Sequence, residues 1–238
     1  MFYFVSMLKR LVFTILVSSM GYLYAQDSIQ SPDIVDSRYL EDQFYTGAAY
    51  NVLLNKPNDV IQRNLSYNFQ LGFIKDIPLN SRRNIGFGLG VGYGTNSYYS
   101  NIIAEDNGTS INYRLPVPTD SLRRTKFETH AIAFPLEIRW RTSNPVDYKF
   151  WRVYGGIKAE YLFSRRSKLV SDNSDLSTSF KNDDISQWQL GLTLNFGYNT
   201  WNIHLYYSLN PLLDNAASIN GEAIEIRPLR IGVIFYIL

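Results

Sequence analysis

Between Ile85 and Gly94 the chain sets a large apolar residue at every odd position and a glycine at every even one. Ile85, Phe87, Leu89, Val91 and Tyr93 alternate with Gly86, Gly88, Gly90, Gly92 and Gly94. A helix would scatter these side chains around its circumference and lose about 1 kcal/mol per glycine relative to alanine. An extended strand sends successive side chains to opposite faces, so all the large residues share one face and the other is bare. A bare face matters only where something bulky has to fit opposite it.

The same period of two runs through most of the chain after Phe44. Leu65, Tyr67, Phe69, Leu71 and Phe73 oppose Ser66, Asn68, Gln70 and Gly72. His130, Ile132, Phe134, Leu136, Ile138 and Trp140 oppose Ala131, Ala133, Pro135, Glu137 and Arg139. Val153, Gly155, Ile157, Ala159, Tyr161 and Phe163 face away from Tyr154, Gly156, Lys158 and Glu160. Trp188 to Phe196 and Trp201 to Tyr207 alternate in the same way. With Phe44–Leu54 and Ile224–Leu238 these segments make eight strands, most of the ~9–11 residues that cross a bilayer when tilted. In a soluble sandwich or lipocalin-like barrel the polar face would meet water and carry many charges. Here it carries glycine, alanine, serine, asparagine and only a few charges, which suits a crowded lumen. The expected fold is therefore all-β: a transmembrane antiparallel up-and-down β-barrel over residues 44–238.

The connections support this count. Those at 55–64, 98–125, 165–184 and 210–223 are the longer ones, and those at 76–83, 143–150 and 197–200 are short. Outer-membrane barrels have short periplasmic turns and longer external loops. With both termini periplasmic, the four longer connections fall outside the cell. The segment Ile111–Leu115 could extend a hairpin above the membrane or raise the count from eight strands to ten.

The first residues read as a leader. Lys9 and Arg10 precede the apolar run Leu11–Val17, and small and aromatic residues follow up to Ala25. This pattern predicts a secretory signal peptide over residues 1–25, with a membrane anchor as the alternative. Residues 26–43 are polar and aperiodic and read as a periplasmic lead-in. No cysteine is present, so lipid attachment at a cysteine is excluded and stability cannot come from disulfides. Aromatic residues make up 15% of the chain, which fits the aromatic girdles of a barrel. Lys9 and Arg10 lie in the leader, so of the 23 basic residues 21 remain against 21 acidic ones. That balance gives no reason to expect nucleic-acid binding. The strand that ends the chain, Arg230–Leu238, resembles the C-terminal signal read by barrel-assembly machinery, with Leu238 in place of the usual phenylalanine.

Charges on the predicted inner face are the main candidates for a site: Glu137, Arg139, Lys158 and Glu160 on neighbouring strands, and Arg230 on the closing strand. The interior of an eight-stranded barrel is just filled by side chains, and an isolated buried charge is very costly. These five residues are expected to form an ion-paired plug opposite Gly86, Gly88, Gly90, Gly92 and Gly94. Those glycines would make room for Arg139, Tyr154 and Tyr206. An ion path or gate is the functional alternative. At the external rim, Arg165, Arg166 and Lys168 are expected to meet lipopolysaccharide phosphates or a protein partner, and Tyr98 and Tyr99 lie in an external loop. His130 and His204 fall on opposite faces, and neither starts a His-x-Ser pair of the kind used by barrel deacylases. No catalytic residue, metal site or cofactor is predicted. The glycine run lacks the lysine and helix of a phosphate loop.

Several segments resemble the PorT family of Bacteroidetes outer-membrane barrels. They are Phe44–Gly47 with Asn51–Pro57, Asn64–Tyr67, Gly72–Pro78 with Arg83–Ile85, and Gly92–Tyr93 with Asn96–Asn101. The likeness covers the first half of the chain best. It implies a non-catalytic accessory or assembly role in type IX protein secretion, with links to gliding motility, and other secretion-machinery proteins as partners. A generic small barrel that supports envelope integrity or passes small solutes is the other function open at this point.

Overall fold

The computed structural model describes residues 43–238 apart from 81, 121, 143–149, 173–176, 215–216 and 238. The predicted leader and almost all of the lead-in lie outside the described residues. The strands are β1 (Gln43–Leu54), β2 (Tyr67–Pro78), β3 (Ile85–Ser100), β4 (Ile103–Asp106), β5 (Ile111–Arg114), β6 (Leu122–Arg141) and β7 (Trp151–Ser171). They continue with β8 (Thr178–Lys181), β9 (Trp188–Tyr198), β10 (Trp201–Ser208), β11 (Ser218–Ile219), β12 (Glu222–Ala223) and β13 (Arg227–Ile237).

Eight of these close into a cylinder. The sheet order is β6-β3-β2-β1-β13-β10-β9-β7, all neighbours are antiparallel, and β6 pairs with β7 to complete the ring. The first and last strands meet from Phe44↔Ile237 to Leu54↔Arg227, so the barrel has no open seam there. Closure removes the exposed edges that make open sheets prone to aggregate. The segment that could have raised the count to ten instead forms its own hairpin, β4–β5, outside the barrel sheet.

One rim holds the start of β1, the end of β13 and the short connections β2–β3, β6–β7 and β9–β10. The other holds the four longer connections. The tightest turn, Asn199–Thr200, is admitted by the positive φ of Asn199, a conformation that asparagine tolerates. At the opposite rim, Asn220 and Gly221 both have positive φ and turn β11 into β12, as a two-residue hairpin of matching twist requires.

Alternation decides which face meets what. On β9 every residue from Trp188 to Tyr198 switches between exposed and buried without a break. The exposed side chains form a continuous apolar wall that includes Leu89, Val91, Phe134, Ile138, Leu192, Ile203 and Ile231. Ile138 is 66% exposed and Trp201 69% exposed. A water-soluble protein does not present so large a contiguous apolar surface; a bilayer covers it. Aromatic rings edge the wall at both ends. Trp140, Trp151, Tyr198 and Trp201 lie near the short-turn rim, and Tyr93, Tyr161, Phe163 and Trp188 toward the other. From His130 to Trp140 a strand advances about 33 Å, or about 25 Å of height once tilted by 35–45°, the height of a barrel's apolar band.

Strands β3, β6 and β7 have 16, 20 and 21 residues, more than the membrane requires. Their surplus stands beyond the belt at the long-connection rim, where β8 adds to β7. Within this extension β7 has a register shift opposite His130/Ala131: His130 pairs with Ser164, and Ala131 with Leu162. Phe163 is the extra residue. A bulge of this kind re-aims every side chain beyond it.

Candidate functional site: the barrel lumen and its cap

The lumen is filled in two polar tiers. The tier nearer the short-turn rim is centred on Arg139, which is completely buried. Its guanidinium donates to Asp76 at 3.0 Å, to Gln43 at 2.7 Å and to Glu137 at 3.3 Å. Its flat face lies 4.2 Å from the centre of the Tyr154 ring. Arg141 approaches the other oxygen of Asp76 at 2.8 Å, so one carboxylate is shared by two guanidinium groups. Glu137 also accepts a hydrogen bond from Asn195 at 3.1 Å, and Asn195 meets the His204 ring at 2.6 Å.

The second tier is centred on Arg230. It forms a two-pronged pair with Glu160, both N–O distances being 2.7 Å. Such fork-to-fork pairing fixes geometry as well as charge. The Arg230 guanidinium sits 4.0 Å above the Tyr206 ring and reaches the Tyr98 hydroxyl at 3.5 Å. Lys158 donates to the amide oxygen of Gln70 at 2.7 Å, and among the described residues no carboxylate accepts from it.

The five charged residues singled out from sequence thus all point inward, but they form two clusters rather than one network. Two partners were not among them. Asp76 was expected in a connecting turn; β2 runs on to Pro78 and sets Asp76 inside the lumen, fully buried. Gln43 was assigned to the lead-in, yet it begins β1 and is fully buried beside Arg139. Alternation along β2 carried a signal for Asp76, since Asn68, Gln70 and Gly72 fix the inward parity.

The glycines make room, though mostly for other groups than expected. A β-carbon on Gly88 would stand 3.0 Å from Cδ of Arg139, and one on Gly86 would stand 3.1 Å from the Asp76 carboxylate. At Gly90 it would stand 2.7 Å from Ile74, and at Gly92 it would collide with the hydroxyl of Tyr45. Gly94 has no atom nearer than 3.9 Å. Tyr206 is accommodated instead by Gly191 of β9, where an added carbon would overlap its ring. Tyr154 packs against Tyr236, their ring centres 5.5 Å apart.

Above the second tier the lumen becomes apolar. Leu53, Tyr98, Phe127, Ala131 and Leu162 line the inner wall, and Val60, Ile102, Tyr113, Ile185, Leu212, Leu213, Ile219, Ile224 and Ile226 descend from the longer connections onto them. The hydroxyl of Tyr113 accepts from Asn182 at 2.9 Å and donates to Asp184 at 3.1 Å, tying the β5 hairpin to the chain that follows β8. Burial pushes the Tyr113 hydroxyl well above its usual pKa and keeps it neutral. The longer connections therefore form a packed lid over the barrel mouth.

This cap corrects two expectations about the rim. Tyr98, expected in an external loop, is 1% exposed and belongs to the lumen wall. Arg165, grouped with Arg166 and Lys168, is turned by the bulge at Phe163 under the cap. There it donates to the carbonyls of Asp183 and Ile185 and pairs with the Asp183 carboxylate at 2.9 Å. Arg166 and Lys168 remain on the outer face, exposed. Tyr99 is half-buried on that face, with the Lys126 ammonium 5.7 Å from its ring centre.

The histidines stand on opposite faces. His204 is inside, 1% exposed. His130 is outside, its Nδ1 bonded to the Tyr93 hydroxyl at 2.5 Å and its Nε2 3.6 Å from Glu128. Among the described residues no group of three or more His, Asp or Glu side chains is placed to hold a metal ion.

A closed eight-stranded meander with an apolar wall, two aromatic belts and a filled lumen defines an outer-membrane β-barrel. The chain belongs to the family described as the outer membrane protein beta-barrel domain, which it matches over residues 24–214. The protein is thereby assigned to the outer membrane. Among solved structures it is similar to Ail, the attachment invasion locus protein of Yersinia pestis. The identity is 13% and the TM-score 0.35, over 82% of this chain and 97% of that one. It is also similar to a mutant Rh. blastica porin, at 7% identity and a TM-score of 0.15 over 84% of this chain and 100% of the porin. Likenesses this distant bear on neither activity nor partner. No curated protein matches the chain significantly.

Proposed function

We propose that this protein is a sealed, non-catalytic outer-membrane barrel serving as an accessory or assembly component of type IX protein secretion. Its termini face the periplasm and its capped rim faces the outside of the cell. The observation that carries the reading is the filled interior: two ion-paired tiers and an apolar lid leave the barrel its outer wall and rim as working surfaces. That favours a structural or docking role over solute passage. The secretion role is supported by the resemblance of Phe44–Gly47 with Asn51–Pro57, Asn64–Tyr67, Gly72–Pro78 with Arg83–Ile85, and Gly92–Tyr93 with Asn96–Asn101 to PorT-family barrels. The same resemblance supports a non-catalytic role.

The test is a clean deletion followed by proteomics of medium, outer membrane and periplasm. The expected result is loss of type IX cargo from the medium and its accumulation in the periplasm, with other outer-membrane proteins unchanged. Normal export would leave a free-standing barrel with a role in envelope integrity.

A further inference from the structure

At the short-turn rim the lumen holds more basic than acidic charge. Arg139, Arg141 and Arg152 are all buried there, against the carboxylates of Asp76 and Glu137. Arg141 lies directly opposite Arg152 across β6 and β7, and like charges so placed destabilise a sheet. Arg139 and Arg141 share Asp76, and Glu137 serves Arg139 and Asn195. Among the described residues no carboxylate comes within ion-pairing distance of Arg152.

Arg152 is nevertheless only 4% exposed. Its guanidinium donates to the carbonyl of Asn199 at 2.8 Å and lies 4.4 Å from the centre of the Phe150 ring, while its Nε finds no acceptor among the described residues. A buried charge without a counter-charge is costly, so this mouth calls for one more anion. Arg139 and Arg152 stand 5.5 and 5.9 Å from the centre of the same Tyr236 ring, and Gln43 accepts from Arg139 at 2.7 Å. The chain leading into β1 therefore enters the barrel beside the group that needs the anion.

The two residues before Gln43 are Glu41 and Asp42. β1 turns Gln43, Tyr45 and Gly47 inward and Phe44 and Thr46 outward, and it pairs Gln43 with Ile74. Two more residues in the same extended register set Asp42 opposite Lys75, which faces outward on β2, and Glu41 inward, level with Asp76. Opposite charges directly across a strand pair stabilise it. We propose that Arg152, with Arg141 beside it, is an anion site whose ligand is the carboxylate of Glu41, held there as β1 continues through Asp42 and Glu41 as a strap across the mouth. Asp42 pairs with Lys75 on the outer side. The mouth then sets the three guanidinium groups against three carboxylates, Asp76, Glu137 and Glu41, and Asp76 is tolerated beside Glu41 because Arg139 and Arg141 already share its charge. A carboxylate two residues from Gln43 reaches the site without the translational cost that a free anion pays, which favours the chain's own acid over an external one. The strap closes the lumen from the short-turn side as the lid closes it from the other. The inference does not depend on the role in secretion.

The test is limited trypsin digestion of the folded chain from residue 26 onward, purified in detergent. Arg38 is its first basic residue and Lys56 the next, so a nick between Arg38 and Tyr39 reports whether the strap is seated. Where opening is fast relative to cleavage, the rate follows the population of the open form. Each rate is divided by that of a synthetic peptide of residues 33–45 with the same sequence, which removes the effect of a substitution on trypsin itself. Retention of the heat-dependent gel mobility of a folded barrel checks every variant. The expected result is nicking roughly 10-fold faster in E41Q and in R152Q. The E41Q/R152Q double variant should be nicked no faster than either single one, because both remove the same contact, and R152K should stay close to wild type. A rate in R152Q equal to that of wild type, or effects that multiply in E41Q/R152Q, would overturn the proposal. So would fast nicking in R152Q beside an unchanged rate in E41Q, which assigns Arg152 to an external anion, whether phosphate or the acidic segment of a partner.

Discussion

Arg230 and Arg139 sit in the same lumen but depend on their carboxylates to different degrees. Arg230 has one acid, Glu160, holding both prongs of its guanidinium. Arg139 has Asp76, Glu137 and Gln43. Removing one partner of a buried pair leaves the other charge uncompensated, at a cost of about 3–5 kcal/mol. Losing one of several hydrogen bonds to a group that keeps its others costs about 1–2 kcal/mol. Glu160→Ala is therefore expected to lower the urea midpoint of the lipid-reconstituted barrel much more than Glu137→Ala, and equal shifts would show that the tiers are not separate. The inward direction of Glu137, Arg139, Lys158, Glu160 and Arg230 was readable in the sequence, because parity in a strand is fixed by its neighbours. Their partners were not readable, since Arg230 and Glu160 stand 70 positions apart. Arg165 shows a harder limit. Its side chain follows the parity of Tyr161 only if the strand is regular, and the extra residue at Phe163 reverses it.

At the scale of the element, the longer connections are structured parts of the molecule. The β4–β5 hairpin and the turn after it are held by Arg114, which pairs with Glu105 and Asp120, each at 2.7 Å. The Arg114 hydrogen bond, followed by that from the Val117 N–H, holds the Asp120 carboxyl below the usual carboxylate range. The folded state thus favours the ionised form. Its contribution is fully present above the unfolded pKa of about 3.9 and is lost as pH falls through the lower folded value. Amide protection over residues 111–120, corrected for intrinsic exchange, is expected to stay level from pH 7 down to about 5 and to fall only below about 4. Asp120→Asn should reduce that protection already at neutral pH. A decline beginning near pH 6 in the wild type would point to some other titrating group. Long loops usually read as solvated. Here Val60, Ile102, Tyr113, Ile185, Leu212 and Ile224 were the sequence signal that they pack, since apolar residues recurring in every long connection need a common place to be buried.

For the molecule as a whole, wall and interior do separate jobs. The wall makes it a membrane protein; the interior decides whether it conducts. With both tiers and the cap in place, reconstitution into a planar bilayer is expected to give no discrete openings, and steady unitary currents from the wild-type barrel would refute the sealed lumen. The choice of eight strands over ten waited for the closed ring, whereas the sequence by itself determined the strand period, the alternation of short and long connections, and which face meets lipid. All of these follow from nearest-neighbour geometry: each residue in a strand fixes the direction of the next, and turn lengths are local. Only the tertiary structure decided that the lumen charges divide into two clusters, that Gln43 and Asp76 complete one of them, that Gly191 rather than the run at Gly86–Gly94 accommodates Tyr206, and that the long connections fold inward as a lid. Those features depend on register between strands distant in sequence and on volume shared inside a closed cylinder, and neither quantity exists until the ring is closed.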